Sequence, residues 1–264
     1  LVDNGLINEH ERIDCENGSY RISGNIFNDV EPHGSLNIYD VVVESSNIGM
    51  VKLAKRIQPI KLYNYLKICG FGKKTGIYGL NEESGLVRDL NRWSNLSKYS
   101  ISIGQEILVT PIQILRFYAA IANGGLLMKP KIIKALEGRK KYLDTEYRRI
   151  FSTNTSNIMK SILRNVVLEG TGSNAKLKYL DISGKTGTAQ KFNIHNNSYS
   201  TKDYIASFVG YFPLINPEYA MIVLYDSPKK SIYGGSTAAV TFRKIAEQIA
   251  IYKHLGNKNI VALR

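Results

Sequence analysis

Three β-patterned runs stand close together late in the chain, at residues 182–191, 204–211 and 219–225, separated only by Asn- and Pro-containing turns. Such short links favour antiparallel neighbours over the crossover that parallel strands need. A helix is expected to follow, because Ala238, Phe242, Ile245 and Ile249 recur on one face. The pattern ahead of the runs is mainly helical. Helices, then a meander, then a closing helix predict an α+β fold, an antiparallel sheet packed with helices.

The first 35 residues are rich in Gly, Asn and Asp and read as turns with short strands at 19–22 and 25–27. Asn37 reads as a helix N-cap, with Asp40 three residues on. The short helix it starts would run into Ser45-Ser46-Asn47. A second helix would place Met50, Leu53, Ala54 and Ile57 on one face, and Pro59 would limit it. Residues 69–85, punctuated by glycine, read as loop. Thr110, Pro111 and Gln113 give the clearest helix start in the chain, with Leu115, Ala119 and Ala122 as its apolar face and Gly124-Gly125 as its end. Another helix is expected over residues 154–168, where Ile158, Ile162 and Val166 are in register and Gly170-Thr171-Gly172 follows.

Composition narrows the function classes. The 264 residues are 44% hydrophobic, enough for one substantial core and two domains at most. The longest apolar stretches, such as residues 205–215, are too short and polar to cross a bilayer. No charged-then-apolar leader opens the chain, and residue 1 is Leu. Cys15 and Cys69 form no Cys-x-x-Cys pair and sit near no histidine pair, so they read as two free small residues and not as metal ligands. The net charge of +13 is scattered, with no basic run interleaved with aromatics, so it reads as a solvated lysine-rich surface and not as a nucleic-acid module.

Three short motifs mark serine acyl-transfer enzymes of the penicillin-binding kind: Ser-x-x-Lys, Ser-Asp-Asn (loosened here to Ser-x-Asn) and Lys-Thr-Gly. A serine hydroxyl needs a nearby base to become a nucleophile, and a lysine three residues on in a helix lies beside it. A second serine can relay a proton, and an asparagine can hold a substrate amide. Lys-Thr-Gly presents a positive, hydrogen-bonding edge to a carboxylate. As bare patterns they are weak. Ser-x-Asn occurs at Ser23, Ser35, Ser45 and Ser152; Lys-Thr-Gly begins at Lys74 and at Lys185; Ser-x-x-Lys begins at Ser173 and at Ser227. Most of these are turn or cap residues. Context favours Ser45 with Asn47, expected between two helices, and Lys185-Thr186-Gly187, expected at the head of the strand region. There, an edge strand could pair with an extended peptide. Lys74-Thr75-Gly76 falls in the glycine-rich loop and reads as a turn.

The chain resembles the transpeptidase domain of class B, cell-division type penicillin-binding proteins. The segments that carry the resemblance run from Glu44-Ser-Ser-Asn-Ile-Gly-Met-Val-Lys-Leu-Ala54 through Phe71-Gly-Lys-Lys-Thr-Gly-Ile77, Ser102-Ile-Gly-Gln105 and Thr110-Pro-Ile-Gln113. They continue with Ala119-Ala-Ile-Ala-Asn-Gly-Gly125, Gly170-Thr-Gly172, Gly184-Lys-Thr-Gly-Thr-Ala-Gln190 and Ser207-Phe-Val-Gly-Tyr-Phe-Pro213. They span nearly the whole chain in the family's order. Val240, after Ala238-Ala239, stands where the family usually has proline. In the family, Ser-x-x-Lys opens a helix shortly before the segment that Leu1-Val-Asp-Asn-Gly5 resembles. The resemblance therefore implies a nucleophile upstream of residue 1 and one partial transpeptidase domain over residues 1–264, with the fold's N-terminal part missing.

The resemblance further implies a peptidoglycan D,D-transpeptidase of the penicillin-binding and serine β-lactamase-like fold. Its serine is acylated by a stem peptide ending in D-Ala-D-Ala, the last D-Ala is released, and the acyl group passes to a neighbouring peptide's amine. β-Lactams acylate the same serine. In that scheme Ser45 relays protons, Asn47 binds the substrate amide and Lys185 sets the electrostatics. Thr186, Gly187 and Thr188 bind the substrate, with the Thr188 N–H in the oxyanion hole. No metal or organic cofactor is implied. The implied partners are stem peptides, β-lactams and cell-division proteins, with no nucleic acid. The implied location is the bacterial inner membrane, facing the periplasm, with the anchor outside this chain. The rival readings are a β-lactamase, against which stands the lack of a Glu-x-x-Leu-Asn segment, a D,D-carboxypeptidase, and a non-catalytic fragment or wall-binding module.

Overall fold

The computed structural model describes residues 1–133, 146–193 and 198–256. Strands β1 (Arg12–Asp14), β2 (Ser19–Ile22), β3 (Asn25–Asn28) and β4 (Ser35–Asn37) come first. Helices α1 (Asp40–Val43), α2 (Asn47–Ala54), α3 (Pro59–Ile68), α4 (Ser97–Ser102) and α5 (Pro111–Ala122) follow. Then come β5 (Leu126–Met128), β6 (Tyr147–Arg149), α6 (Thr153–Leu168), β7 (Ser183–Asn193), β8 (Ser198–Phe212), β9 (Tyr219–Asp226) and α7 (Ala238–Lys253). The residues fall into two compact units. The first holds Leu1–Ile38 and Ser46–Asn157, the second Tyr39–Ser45 and Ile158–Arg264.

In the first unit, β2 and β3 form a hairpin closed by Ser23 and Gly24, both at positive φ, the backbone a tight antiparallel turn demands. α5 begins as its sequence predicts: the Thr110 side chain accepts from the Gln113 N–H, and the Gln113 side chain accepts from the Thr110 N–H. Buried Gln113 does a second job, donating to the carbonyls of Lys73 (2.7 Å) and Ser84 (2.8 Å) and so pinning both ends of the glycine-rich loop. Three expectations need correction here. Asn37 is the last residue of β4, paired with Arg12, and Tyr39 occupies the α1 N-cap. Pro59 does not merely stop a helix; it opens α3 from the first position, where its missing N–H costs nothing. The second helix ends at Ala54, so Ile57 is buried in the chain beyond it.

In the second unit, β7, β8 and β9 form an antiparallel sheet in that order, as the short links require. α7 packs on the sheet through Phe242, whose ring meets Phe208 edge-on at 4.7 Å and Phe212 at 5.9 Å. The rest of the buried α7 face is small: Ala238, Ala239, Ala246 and Ala250. Ile245 is not on it; at 39% exposure it faces solvent, because the helix approaches the sheet through alanines and one aromatic. A second cluster joins Val43 of α1 to Ile162 and Val166 of α6, with Ile158 packed beside them. β7 is paired on one side only among the described residues, so the strand carrying Lys185-Thr186-Gly187 is an edge strand.

Candidate functional site

The serine pair between α1 and α2 divides its labour. Ser46 is buried and caps α2: its hydroxyl accepts from the Gly49 N–H (3.0 Å) and donates to the Asp29 carboxylate (2.7 Å). Asp29 also accepts from the Ile48 N–H (2.9 Å), a carboxylate at a helix N-terminus. Ser45 is exposed, at φ +60, in the left-handed region that a non-glycine residue enters only when its surroundings hold it there. Its N–H donates to the Val42 carbonyl (3.3 Å). Ser46 is thus the structural serine and Ser45 the presented one.

Within the second unit, a chain of hydrogen bonds joins the α1 end to β7. The Thr171 N–H (3.4 Å) and hydroxyl (3.5 Å) both donate to the Val43 carbonyl, two residues before Ser45. The Thr171 hydroxyl in turn accepts from the Thr186 hydroxyl (3.1 Å). Lys185 is half-buried, and its ammonium lies 3.4 Å from the Thr186 hydroxyl and 3.5 Å from its carbonyl. Burial pushes that ammonium down to about 8, against the opposing pull of the Glu44 carboxylate. A lysine so placed is still mostly charged at neutral pH but gives up its proton easily.

A loop after β9 closes on the same strand. The Gly234 N–H donates to the Thr188 hydroxyl (3.2 Å), and Asn174 holds the Gly235 carbonyl (3.0 Å). A Cβ at Gly234 would lie 2.2 Å from the Ser207 carbonyl oxygen and 2.5 Å from that of Gly187, so only glycine lets this loop touch the sheet. Thr188 and Ala189 remain exposed on the open edge.

The second unit therefore brings together Lys185, Thr186, Gly187 and Thr188, and ties their strand to the segment that ends in Ser45. Asn47 belongs to the first unit, where its side-chain amide donates to the Asn28 carbonyl (2.8 Å). Lys74-Thr75-Gly76 also belongs to the first unit, in a loop. Glu44, Thr171 and Gly234 escaped the residue-by-residue reading. The signal for the first two was their position: Glu44 directly precedes Ser45, and Thr171 sits in a Gly-Thr-Gly otherwise read as a helix breaker.

Neither Ser-x-x-Lys match has the helical geometry that activates a serine. Ser173 begins a one-turn 3-10 segment, and the Lys176 ammonium donates to the Leu168 carbonyl (3.4 Å). Ser227 sits at φ +48 after β9 and donates to the Asp226 carboxylate (2.9 Å). Cys15 and Cys69 are free and buried, and burial pushes the Cys69 thiol up to about 12.

The family model of the penicillin binding protein transpeptidase domain matches residues 1–247. Penicillin-binding protein PbpB of Mycolicibacterium smegmatis is 32% identical over 260 residues, covering 93% of this chain and 40% of that protein. Peptidoglycan D,D-transpeptidase FtsI of Buchnera aphidicola is 31% identical over 247 residues, covering 93% of this chain and 42% of that protein. The chain thus spans well under half the length of these relatives. Penicillin-binding protein 3 of Mycobacterium tuberculosis, solved with ampicillin, superposes with a TM-score of 0.87 at 30% identity, over 97% of this chain and 60% of that one.

Proposed function

The chain belongs to the penicillin-binding protein transpeptidase family, and we propose that it supplies the substrate-holding part of a peptidoglycan D,D-transpeptidase that cross-links stem peptides during division. The observation that carries this reading is the edge strand β7, where Lys185 and the hydroxyls of Thr186 and Thr188 line an open backbone edge. An extended peptide can add to such an edge through main-chain hydrogen bonds, its terminal carboxylate facing a cation and two hydroxyls.

The chemistry is acyl transfer in two steps. A serine oxygen attacks the penultimate D-Ala carbonyl, the carbon–oxygen bond forms, and the peptide C–N bond breaks as the terminal D-Ala amine takes a proton. The amine of a second stem peptide then attacks the ester, and the serine recovers its proton. Lys185 holds the substrate carboxylate and lowers the barrier electrostatically. Ser45, presented on a strained turn, passes the proton to and from the amine, and Asn47, two residues on, holds the substrate amide. The Thr188 N–H helps to bind the carbonyl oxygen as it becomes negative. The acylated serine comes from a Ser-x-x-Lys segment outside residues 1–264, because Ser173 and Ser227 are committed to a 3-10 turn and to a carboxylate. Stem peptides, β-lactams and cell-division proteins are the partners. The domain faces the periplasm from the inner membrane. No helix among the described residues is long and apolar enough to cross a membrane.

A fluorescent penicillin tests this on a denaturing gel. The full-length protein should give a labelled band that survives boiling, and residues 1–264 alone should give none. A labelled band from residues 1–264 that disappears on Ser173→Ala or Ser45→Ala would overturn the assignment of the nucleophile.

A further inference from the structure

The first unit contains a cavity of about 360 Å³ walled by the glycine-rich loop and the paired strands β5 and β6. Five of its lining residues are cationic: Lys73, Lys74, Arg116, Lys129 and Arg148. One is acidic, Glu146, and it is already spent on Lys129 at 2.8 Å. Among the described residues, no other carboxylate lies within ion-pair distance of the remaining four.

The two arginines converge over Gly70. A Cβ built there would stand 3.4 Å from Arg116 Nη1 and 3.6 Å from Arg148 Nη2. That leaves the two guanidinium tips close enough for one tetrahedral anion to accept from both. Arg116 is fixed through its Nε, which donates to the Met128 carbonyl, and Arg148 through Nη2 itself, which gives one of its two hydrogens to the Lys67 carbonyl (3.4 Å). Burial, and then the neighbouring charge of Arg148, hold the Arg116 guanidinium below its ordinary value, with Glu82 opposing. Like charges held together beside a void are relieved by an anion in the void. Glu82 cannot be that anion's substitute. Its carboxylate is taken by the N–H groups of Thr75, Gly76 and Ile77 and by the Thr75 hydroxyl.

We propose that this cavity is a phosphate-binding site, with Arg116 and Arg148 gripping one phosphate and Lys73 and Lys74 at its rim. The guanidinium pair favours phosphate over carboxylate, since four cations with no carboxylate partner among the described residues exceed what one carboxylate neutralises. The site shares no residue with β7 and does not rest on the transpeptidase reading. The phosphate can belong to a soluble diphosphate or to a phospholipid headgroup.

Calorimetry with inorganic pyrophosphate, against sodium acetate at matched ionic strength, reads the site directly. The full chain should bind pyrophosphate with one-to-one stoichiometry and at least tenfold more tightly than acetate. Arg148→Gln should weaken binding at least tenfold, and Lys73→Gln, at an exposed position, should weaken it severalfold without lowering the melting temperature. Co-sedimentation with phosphatidic acid vesicles, against phosphatidylcholine vesicles, distinguishes the sources. Retention released by pyrophosphate marks a headgroup site; pyrophosphate binding without retention marks a soluble ligand. Equal affinity for pyrophosphate and acetate, or unchanged pyrophosphate binding in both variants with their folds intact, would overturn the proposal.

Discussion

The tripeptide Lys-Thr-Gly occurs once in each unit, and the two copies have opposite surroundings. In the first, Thr75 is buried, and its hydroxyl and N–H both bind Glu82, as do the N–H groups of Gly76 and Ile77. The backbone curls around a carboxylate of its own chain, and the lysine is left exposed. In the second, the backbone N–H and C=O groups run along an extended strand beside β8, Thr186 reaches Thr171, and the lysine is drawn in beside Glu44. Three identical residues thus serve loop closure in one place and an open charged edge in the other. What separates them is the partner the fold provides, a carboxylate seven residues on or a strand across the sheet.

Lys185→Met is the strongest test of that contrast. If the β7 copy serves acyl transfer, the full-length protein should lose penicillin acylation by about 100-fold, the scale of removing one electrostatic contact to the reacting groups. Acylation rates within twofold of the unchanged protein would erase the difference between the copies.

Glu82→Gln probes the other copy. Burial works against the Glu82 carboxylate, but the hydrogen bonds from Thr75, Ile77 and Gly76 outweigh it and hold its pKa below 4.5. Its contribution is therefore full above pH 4.5 and is lost as pH falls through the lowered value. The variant should lose about 2 kcal/mol in urea unfolding at pH 7. The gap from the unchanged protein should narrow in acid, and acylation per folded molecule should stay unchanged. Lost acylation with unchanged stability would reverse the roles assigned to the two copies.

The smallest expected effect is in pH. Lys185 titrates near 8 in the fold against an ordinary 10.5, so affinity for a carboxylate-bearing β-lactam should fall as pH rises through about 8. Stability runs the other way. Between 8 and 10.5 the unfolded chain binds the extra proton, so unfolding becomes harder as pH rises. Competition binding from pH 7 to 9.5 should show a fall of roughly tenfold per unit past the pKa, the slope of a single ionisation. The slope should vanish in Lys185→Gln, and a persistent slope there would assign the titration to another group.

Much of the second unit was legible because its signals are local. Alternation marked β7, β8 and β9, and the 3.6-residue period marked α6 through Ile158, Ile162 and Val166. The Thr110–Gln113 box was equally readable, because both of its partners lie within four residues. The misreadings arose where one residue type serves two structures. Asn37 has the chemistry of a cap but ends a strand, and Pro59 has the chemistry of a stop but starts a helix. Ile245 misled because bulk was taken for burial, whereas α7 nestles on the sheet through alanines. The motif lysine and threonines of β7 were readable from their tripeptide. Glu44 and Thr171 were not, because their roles come from contacts between distant parts of the chain, which no local pattern encodes.

The bond from the Thr171 hydroxyl to the Val43 carbonyl spans 128 positions of sequence. During synthesis, α1 leaves the ribosome long before the helix and turn that cover it exist. Chains emerge at about 5–20 residues per second, so Val43 spends several seconds without Ile162, Val166 or Thr171. The first unit has its residues through Asn157 in hand by then, while the second waits for its C-terminal half. The seven residues that end in the strained Ser45 turn are made early and set late, held by contacts to residues 158–171 that follow them more than a hundred positions later.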